Sequence, residues 1–378
     1  MGTKYKMMTP GPVQVPESVR VARSRITPNA DLDPDFFDEY KETCELISQL
    51  LHTKNETLIL SGEGILGLEA ACASMTEPGD KVLVLDNGIY GKGFADFVTM
   101  YGGNVEMYTV DDKNEIDVDA LDAYLKDHHD FKYATVVHCD TPSGMLNDIH
   151  KICPLLKSYG IMTVTDSVSG MFGNEVDVDK AQIDLLCGGS QKAVSAPPGL
   201  TFVTLSQCAK DAMENRKTPI ASFYCNLTIF KDYYKNQWFP YTMPSSDIYG
   251  LKQAMENIRD DENIIKRHAQ IANATRKAVQ SAGLKLHLES GFSDTVTVFD
   301  VPEGITDRQI LDTMLKEHQV MLAGSFDTLA GKVIRIGHMG ANANVNDMLV
   351  TMNALEETLK ALGWNQAEGM LEEFRKNL

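Results

Sequence analysis

The segment Gly188-Gly189-Ser190-Gln191-Lys192-Ala193-Val194-Ser195-Ala196-Pro197-Pro198-Gly199 guides the interpretation of the whole sequence. It follows an apolar run at 183–187 whose composition is typical of a strand, and it places one lysine between two glycines and a Pro-Pro-Gly turn. Most lysines lie on solvated surfaces, but a lysine held in a constrained, partly desolvated loop has a lowered pKa. Such an amine can form imines with carbonyl compounds, so Lys192 is a candidate catalytic residue.

Strand-like and helical segments alternate on both sides of this lysine. A helical periodicity covers residues 33–52, and most of the apolar runs that follow are separated by segments long enough for a helix. These runs lie at 57–60, 81–85, 105–108, 133–138, 161–165, 183–187 and 200–205. The alternation predicts an α/β fold with a mostly parallel sheet covered by helices, whose functional residues gather at the carboxyl ends of strands.

The pattern changes after about residue 247. A long charged helical pattern is followed by shorter strand-like and helical segments, which together predict a smaller α+β domain. The helical patterns lie at 248–283, 306–318, 345–363 and 365–377, and the strand-like runs at 284–288, 295–298 and 332–337. We therefore predict an N-terminal arm (1–15), a large cofactor-binding domain (16–250) and a small C-terminal domain (251–378).

Composition narrows the classes of function. The chain has 378 residues, 43% of them hydrophobic, and a formal net charge of -18, which argues against nucleic acid and acidic membrane surfaces as partners. Its seven cysteines show no Cys-x-x-Cys spacing, so we expect reduced thiols and no metal site. Neither a long apolar run nor a signal-peptide pattern is present, and the expected location is cytoplasmic.

Three polar clusters follow predicted strands. The segment 61–70 is a glycine-rich turn into a helix, which suits an anion such as phosphate but equally suits tight strand–helix packing. Asp166 ends the run at 161–165 and is either a helix cap or the partner of a cation. The segment 138–144, His-Cys-Asp-Thr-Pro-Ser-Gly, is polar and turn-prone after another predicted strand. It is either a further group of site residues or simply a loop.

Together these residues resemble the class V aminotransferases of the alanine-glyoxylate and serine-pyruvate type, which use pyridoxal 5′-phosphate. The resemblance covers nearly the whole chain and rests on motifs in the family's order: Thr9-Pro10-Gly11-Pro12, Asn87-Gly88-Ile89-Tyr90-Gly91, Gly189-Ser190-Gln191-Lys192-Ala193, Pro197-Pro198-Gly199 and Arg335-Ile336-Gly337. It implies a fold type I pyridoxal-phosphate-dependent transferase that works as a homodimer with shared active sites.

The resemblance also implies a role for each matching residue. Lys192 would hold the cofactor as an internal aldimine and then move the substrate proton, while Asp166 would pair with the pyridine nitrogen. Arg335 would grip the substrate carboxylate, with Gly11 also in the substrate site. The other cofactor-binding residues would be Tyr90 and Val168 on the two ring faces, Thr141 near the phenolic oxygen, Gly62, Glu63, Gly64, Ile65 and Gln191 in the phosphate cup, and Phe239 and Thr242.

Two positions depart from the commoner family pattern. Glu63 stands where many relatives have serine or threonine, and Phe239 stands where many have a tyrosine that reaches the neighbouring subunit's phosphate. Both residues resemble the pyridoxamine-pyruvate aminotransferase branch, whose members use unphosphorylated pyridoxamine. The alternative for Glu63 is an acid that meets the positive end of its helix. Phe326 lies where that branch would place a second substrate-binding arginine.

The function predicted from these features is transfer of an amino group from a small amino acid or amine to pyruvate or glyoxylate, by a ping-pong mechanism with pyridoxal 5′-phosphate. The alternative is pyridoxamine-pyruvate transamination on unphosphorylated pyridoxamine. A cysteine desulfurase or lyase is less favoured, because desulfurases need a mobile cysteine late in the chain and none follows Cys225. A non-catalytic regulator would be favoured by loss of Lys192 or Asp166, and both are present.

Overall fold

A seven-stranded sheet forms the centre of the larger domain in the computed structural model, which describes residues 5–378. Residues 1–4 of the predicted arm lie outside the described residues. The described strands are β1 (Lys6–Met7), β2 (Glu56–Ser61), β3 (Lys81–Asp86), β4 (Asn104–Thr109), β5 (Tyr133–Val137), β6 (Cys139–Asp140), β7 (Met145–Leu146), β8 (Met162–Asp166), β9 (Leu185–Gly189), β10 (Leu200–Leu205), β11 (Val296–Asp300), β12 (Val320–Met321) and β13 (Val333–Gly337).

Helices surround this sheet and build most of the smaller domain. The α-helices in residues 5–378 are α1 (Glu17–Ala22), α2 (Pro34–Leu50), α3 (Gly64–Met75), α4 (Ile89–Met100), α5 (Val118–Leu125), α6 (Ile149–Ser158), α7 (Gln207–Glu214), α8 (Tyr233–Asn236), α9 (Ser245–Arg259), α10 (Ile264–Ser281), α11 (Asp307–His318), α12 (Val345–Ala361) and α13 (Met370–Lys376). Short 3-10 turns occupy Leu227–Phe230, Asp327–Leu329, Gly340–Asn342 and Asn365–Ala367.

The large sheet has the strand order β2-β10-β9-β8-β5-β3-β4. Neighbouring strands from β9 to β4 run parallel, whereas β10 is antiparallel to both β9 and β2. The inner strands β5, β8, β9 and β10 are buried almost throughout, as expected for strands covered on both faces, while the edge strand β4 alternates between exposed and half-buried residues. The predicted mostly parallel sheet is confirmed.

The side chains of α9 and α10 pack mostly in different hydrophobic cores, although the first core also includes Val296, Val298 and Val333 of β11 and β13. The apolar side chains of α9 pack in the core around the large sheet, and those of α10 pack with α11 to α13 in a second core. The predicted boundary at 250/251 lies within α9, and the division into two domains stays a prediction. The helical pattern at 248–283 is two helices separated by Asp260–Asn263, and the predicted strand at 284–288 is wrong, because only the isolated bridge between Leu286 and Phe299 forms there.

The arm that follows residue 4 joins the two domains. Its strand β1 pairs in parallel with β12 of the small domain, and Met8 is buried in the second core. Val13, five residues later, is buried in the first core, and its backbone NH donates to the Gln191 carbonyl. The prolines and glycine between them therefore cross from the small domain to the loop that carries Lys192, as the arm interpretation expects.

Candidate active site

A cavity of about 300 Å³ opens at the carboxyl ends of the parallel strands. Strand β8 delivers Asp166 to its floor, and the loop between β9 and β10 delivers Gln191 and Lys192. The predicted site residues that line this cavity are Gly11, Glu63, Gly64, Ile65, Tyr90, Thr141, Asp166, Val168, Gln191 and Lys192. A larger open cleft of about 710 Å³ beside α2 and α8 contains none of the predicted site residues.

The ε-amine of Lys192 faces this cavity without an ion-pair partner in residues 5–378. Its Nζ donates a hydrogen bond to the Pro10 carbonyl at 2.7 Å. Burial, and after it the positive charge of Arg335, lower the pKa of Lys192 to about 8, against the opposing effects of Cys139, Asp166 and Glu63. A substantial neutral fraction is therefore available near neutral pH, as a nucleophilic or basic amine requires.

Asp166 is a buried carboxylate with little compensation. It is 4% exposed, accepts one hydrogen bond from the Val168 NH at 2.9 Å, and has no cation within salt-bridge distance in the described chain. Burial raises its pKa to about 7. No helix starts at Asp166, so the helix-cap alternative is wrong, and the carboxylate is placed to receive a cationic donor.

Tyr90 and Val168 both line the cavity. Tyr90 is the second residue of α4, and burial raises the pKa of its hydroxyl to about 12. Val168 stands opposite the glycine turn, where a Cβ added to Gly64 would come within 2.9 Å of both Val168 methyl groups. Gly64 is therefore required for close packing at this wall.

Asp140 and Ser169 contribute to the site although the sequence did not identify them. Asp140 is buried and accepts from the Tyr90 NH at 2.9 Å and from the Ser143 hydroxyl at 2.6 Å, so it ties the first turn of α4 to the loop 140–144. Ser169 lines the cavity, and its hydroxyl hydrogen-bonds the Thr141 hydroxyl. Asp140 lay inside the quoted segment 138–144, but only the fold brings it to Tyr90.

Arg335 approaches the cavity from strand β13 of the small domain. Its Nε donates to the Gly324 carbonyl at 2.6 Å and its Nη1 donates to the Thr141 carbonyl at 3.3 Å. No carboxylate of the described chain lies within ion-pair distance of this half-buried guanidinium. The Phe326 ring lies 5.9 Å from it and packs edge-on against Tyr90. An uncompensated guanidinium held by neutral carbonyls is suited to bind an anion.

The glycine turn before α3 holds a carboxylate rather than an open anion site. One oxygen of Glu63 accepts from the Ile65 NH at 3.1 Å, and the other accepts from Gln191 Nε2 at 2.9 Å. The second amide atom, Gln191 Oε1, is buried and has no hydrogen-bond partner. The helix-end alternative for Glu63 is thus confirmed, and this end of the cavity presents oxygen acceptors.

Four predicted residues lie outside the cavity lining: Arg335, whose position is given above, and Gly62, Phe239 and Thr242. Phe239 is 4% exposed and stacks on Phe37 with ring centroids 4.5 Å apart, inside an aromatic cluster of the same chain. Thr242 donates its hydroxyl to Asp31, and the Gly62 NH donates to the Gly199 carbonyl. Neither Phe239 nor Thr242 lines the cavity of its own chain. The prediction for Phe239 concerns the neighbouring subunit's site, so the cofactor-binding role of both residues stays a prediction.

The described residues show no helix long and apolar enough to span a bilayer, and no cluster of three metal-binding side chains.

Residues 24–352 match the family model for class-V aminotransferases. Among curated relatives, pyridoxamine–pyruvate transaminase of Mesorhizobium japonicum is 32% identical over 372 residues, which is 96% of this chain and 93% of that protein. Alanine–glyoxylate aminotransferase of Callithrix jacchus is 29% identical and covers 94% of this chain and 87% of its own.

The solved structure of ureidoglycine-glyoxylate aminotransferase from Bacillus subtilis superposes with a TM-score of 0.92 at 28% identity, covering 98% of both chains. This neighbour confirms the predicted fold class. The match of the family model over most of the sequence decides the family. The chain belongs to the class-V aminotransferases and is an aminotransferase.

Proposed function

We propose that this enzyme transfers an amino group from a small amino acid or amine to pyruvate or glyoxylate with a pyridoxal-type cofactor. The observation that carries the proposal is one cavity lined by a low-pKa lysine and a buried unpaired aspartate, with a carboxylate-free arginine bonded to the Thr141 carbonyl beside it. The relatives named above carry the same reaction class in their names, with pyruvate or glyoxylate as acceptors. A homodimer and a cytoplasmic location remain part of the proposal.

The ring-binding end of the cavity fits a pyridoxal compound. Asp166 needs a cationic donor, Tyr90 and Val168 provide apolar walls, and Lys192 provides an amine that is partly neutral. When bound, such a cofactor supplies an aldehyde carbon that accepts the amino group and a ring that withdraws electrons from it. Asp166, Tyr90 and Val168 would hold the ring, and Lys192 would hold its reactive carbon.

The residues of the chain divide the remaining work. Lys192 takes the proton from the donor's α-carbon at Nζ and would pass it, in the same half-reaction, to the cofactor carbon that has received the amino group. The second half-reaction runs this transfer in reverse, so that Lys192 delivers a proton to the α-carbon of the acceptor. Asp166 keeps a proton on the group it contacts, because its buried negative charge favours a cation there. Arg335 fixes the substrate carboxylate and so orients the α-carbon. Because one cavity serves both substrates, the donor's product leaves before the acceptor enters, which is a ping-pong order.

The opposite end of the cavity does not fit a phosphate well. The Glu63 carboxylate already occupies the Ile65 NH at the start of α3, and two charges about 4 Å apart repel by about 4 kcal/mol per unit charge pair at an effective dielectric near 20. The unpaired Gln191 Oε1 is also an acceptor and cannot bond an unprotonated phosphate oxygen. A hydroxymethyl group, in contrast, donates a hydrogen bond to either oxygen.

This observation favours a second candidate function, in which unphosphorylated pyridoxamine is itself the amino donor and pyruvate the acceptor. The curated relative from Mesorhizobium japonicum bears the name of this reaction. Both candidate functions use the same lysine, aspartate and arginine. They differ only in the ligand group that would bind at Glu63 and Gln191, which is a phosphate in the first and a hydroxymethyl group in the second. Binding of the two forms of the ring therefore distinguishes them.

The first prediction concerns Lys192. We expect Lys192→Ala to abolish amino transfer and to remove the absorption band of the enzyme-bound pyridoxal compound, because the described cavity contains no other lysine. The matched control is Lys151→Ala, which removes an exposed lysine of α6 and should leave both properties unchanged. Full activity in Lys192→Ala would contradict the proposed function.

The second prediction separates the stability effect of Asp166 from its effect on rate. The unfolded carboxyl ionises near 3.8 and the folded one near 7, so its burial penalty is absent below about pH 4, grows up to about pH 7 and is constant above. Asp166→Asn should therefore raise the Tm of the cofactor-free protein at pH 8 but not at pH 4. The same variant should lose orders of magnitude in kcat.

Thermal scans at the two pH values and steady-state kinetics measure these effects. A variant that is less stable than the wild type at pH 8 would contradict the buried, unpaired carboxylate. An unchanged kcat would show that Asp166 has no role in the reaction.

The third prediction concerns Arg335. We expect Arg335→Lys to raise KM for the 2-oxo acid by about 10- to 100-fold, because an ammonium cannot reproduce the two-pronged bond to a carboxylate. Arg276→Lys is a matched control, since Arg276 pairs with Asp294 in the same domain. Equal effects on the acid and on its uncharged amide would count against a carboxylate-binding role.

The fourth prediction decides between the two candidates. Glu63→Ser should bind pyridoxal 5′-phosphate at least as tightly as the wild type, because the repulsion is removed, and should bind free pyridoxamine about 1.5 to 3 kcal/mol more weakly. Paired titrations with the two compounds measure both effects. Glu69→Ser, on the same helix, is the control. Loss of affinity for the phosphorylated compound in Glu63→Ser would contradict this account of the cavity end.

A further inference from the structure

The free amine of Lys192 has a single hydrogen-bond acceptor in residues 5–378, and that acceptor belongs to the N-terminal arm. The Pro10 carbonyl lies 2.7 Å from Nζ, although the two residues are 182 positions apart. Gly11 lies against the same side chain, where an added Cβ would come within 2.5 to 2.6 Å of the lysine Cδ, Cε and Nζ atoms. The arm thus contacts the reactive end of the lysine over three atoms.

A carbonyl is a chemically suitable resting partner for a lysine that changes its bonding during a reaction. It accepts a hydrogen bond from a neutral amine as well as from an ammonium, so it fixes position without requiring a charge. A carboxylate at this place would favour the ammonium and raise the pKa of the lysine. The ionisable groups that influence Lys192 are Arg335, Cys139, Asp166 and Glu63, and none of them takes the hydrogen bond.

Asn342 binds the arm on both sides of Pro10. Asn342 is fully buried; its Oδ1 accepts from the Gln14 backbone NH at 3.1 Å, and its Nδ2 donates to the carbonyls of Gly337 at 3.0 Å and Thr9 at 3.4 Å. The Thr9 hydroxyl closes the turn by donating to the Pro12 carbonyl at 2.6 Å. One side chain therefore joins the arm to the end of the strand that carries Arg335.

We propose that the Pro10 carbonyl, held in place by Asn342 and the Thr9–Pro12 turn, is a positioning group that keeps the Lys192 amine at the cavity whenever this amine is not bonded to a ligand. Pro10, Thr9 and Asn342 are positioning residues in this proposal. It rests on the proposed function only in assigning Lys192 to the chemistry, since the contact itself concerns the chain alone.

The test measures how accessible and reactive the amine is in the full-length protein after any bound carbonyl compound has been removed. Trace acetylation with acetic anhydride at one pH, followed by peptide mass spectrometry, gives the rate at Lys192 relative to exposed Lys151. Lys252, with a side chain only 18% exposed, reports general loosening of the fold. No turnover is needed, so this readout is independent of the substrate.

Four variants give the comparison. Thr9→Val removes the bond that closes the turn and Asn342→Ala removes the clamp; each should raise the Lys192 rate by roughly 10-fold, the factor for about one hydrogen bond, without changing Lys252. Thr9→Ser keeps the hydroxyl and should restore the wild-type rate. Thr297→Val is the matched control, because it removes a buried hydroxyl that bonds His338 in the same domain but does not contact the arm.

An unchanged Lys192 rate in Thr9→Val and in folded Asn342→Ala would overturn the positioning role, as would a parallel rise at Lys252. Thr9→Val keeps the proposal testable if Asn342→Ala does not fold, because its change is confined to the arm. A response at Lys192 in a protein that transfers no amino group would support the positioning role and refute the proposed function. An aminotransferase whose Lys192 does not respond would do the reverse.

Discussion

The site depends on burying a lysine and an aspartate at one cavity without letting them pair. A direct ion pair would raise the pKa of the lysine, lower that of the aspartate and remove both from chemistry. The sheet prevents this pair, because Asp166 ends β8 whereas Lys192 lies beyond the end of the neighbouring strand β9. Each group therefore keeps a displaced pKa, about 7 for Asp166 and about 8 for Lys192. The chain itself provides no ion-pair partner for either group.

The same constraint explains why the small domain and the arm belong to the site. In the proposed function Arg335 orients a substrate near Lys192, and an ion pair with a carboxylate of the chain would oppose that role. The structure satisfies its nitrogens with the neutral carbonyls of Gly324 and Thr141 instead. Lys192 is likewise satisfied by the neutral Pro10 carbonyl. Neutral acceptors hold both cations in place and leave their charges available.

Local sequence patterns were sufficient for the sheet and for the residues at its strand ends. Asp166 and Lys192 could be predicted because each follows a strand whose apolar run is visible in the sequence. Contacts across the fold were not accessible in this way: Asp140 meets Tyr90 only after α4 packs against β6, and Lys192 meets Pro10 across 182 positions. The run at 284–288 failed as a strand because apolar spacing does not show whether a pairing partner exists.

Glu63 illustrates how one side chain can change what a glycine-rich turn is able to bind. The turn before α3 offers NH groups that would suit an anion, but Glu63 is the N-cap residue and brings its own anion to them. Gln191 donates its Nε2 to Glu63, and this orientation leaves Oε1 of the same amide as an unpaired acceptor. Gln191, like Glu63, therefore favours a ligand group that donates a hydrogen bond. A buried acceptor without a partner costs about 1 to 3 kcal/mol, which a donating hydroxyl recovers and a phosphate dianion does not. In the proposed function, the charge of this capping residue would select the end group of the ligand, and the role of Lys192 would be the same in either case.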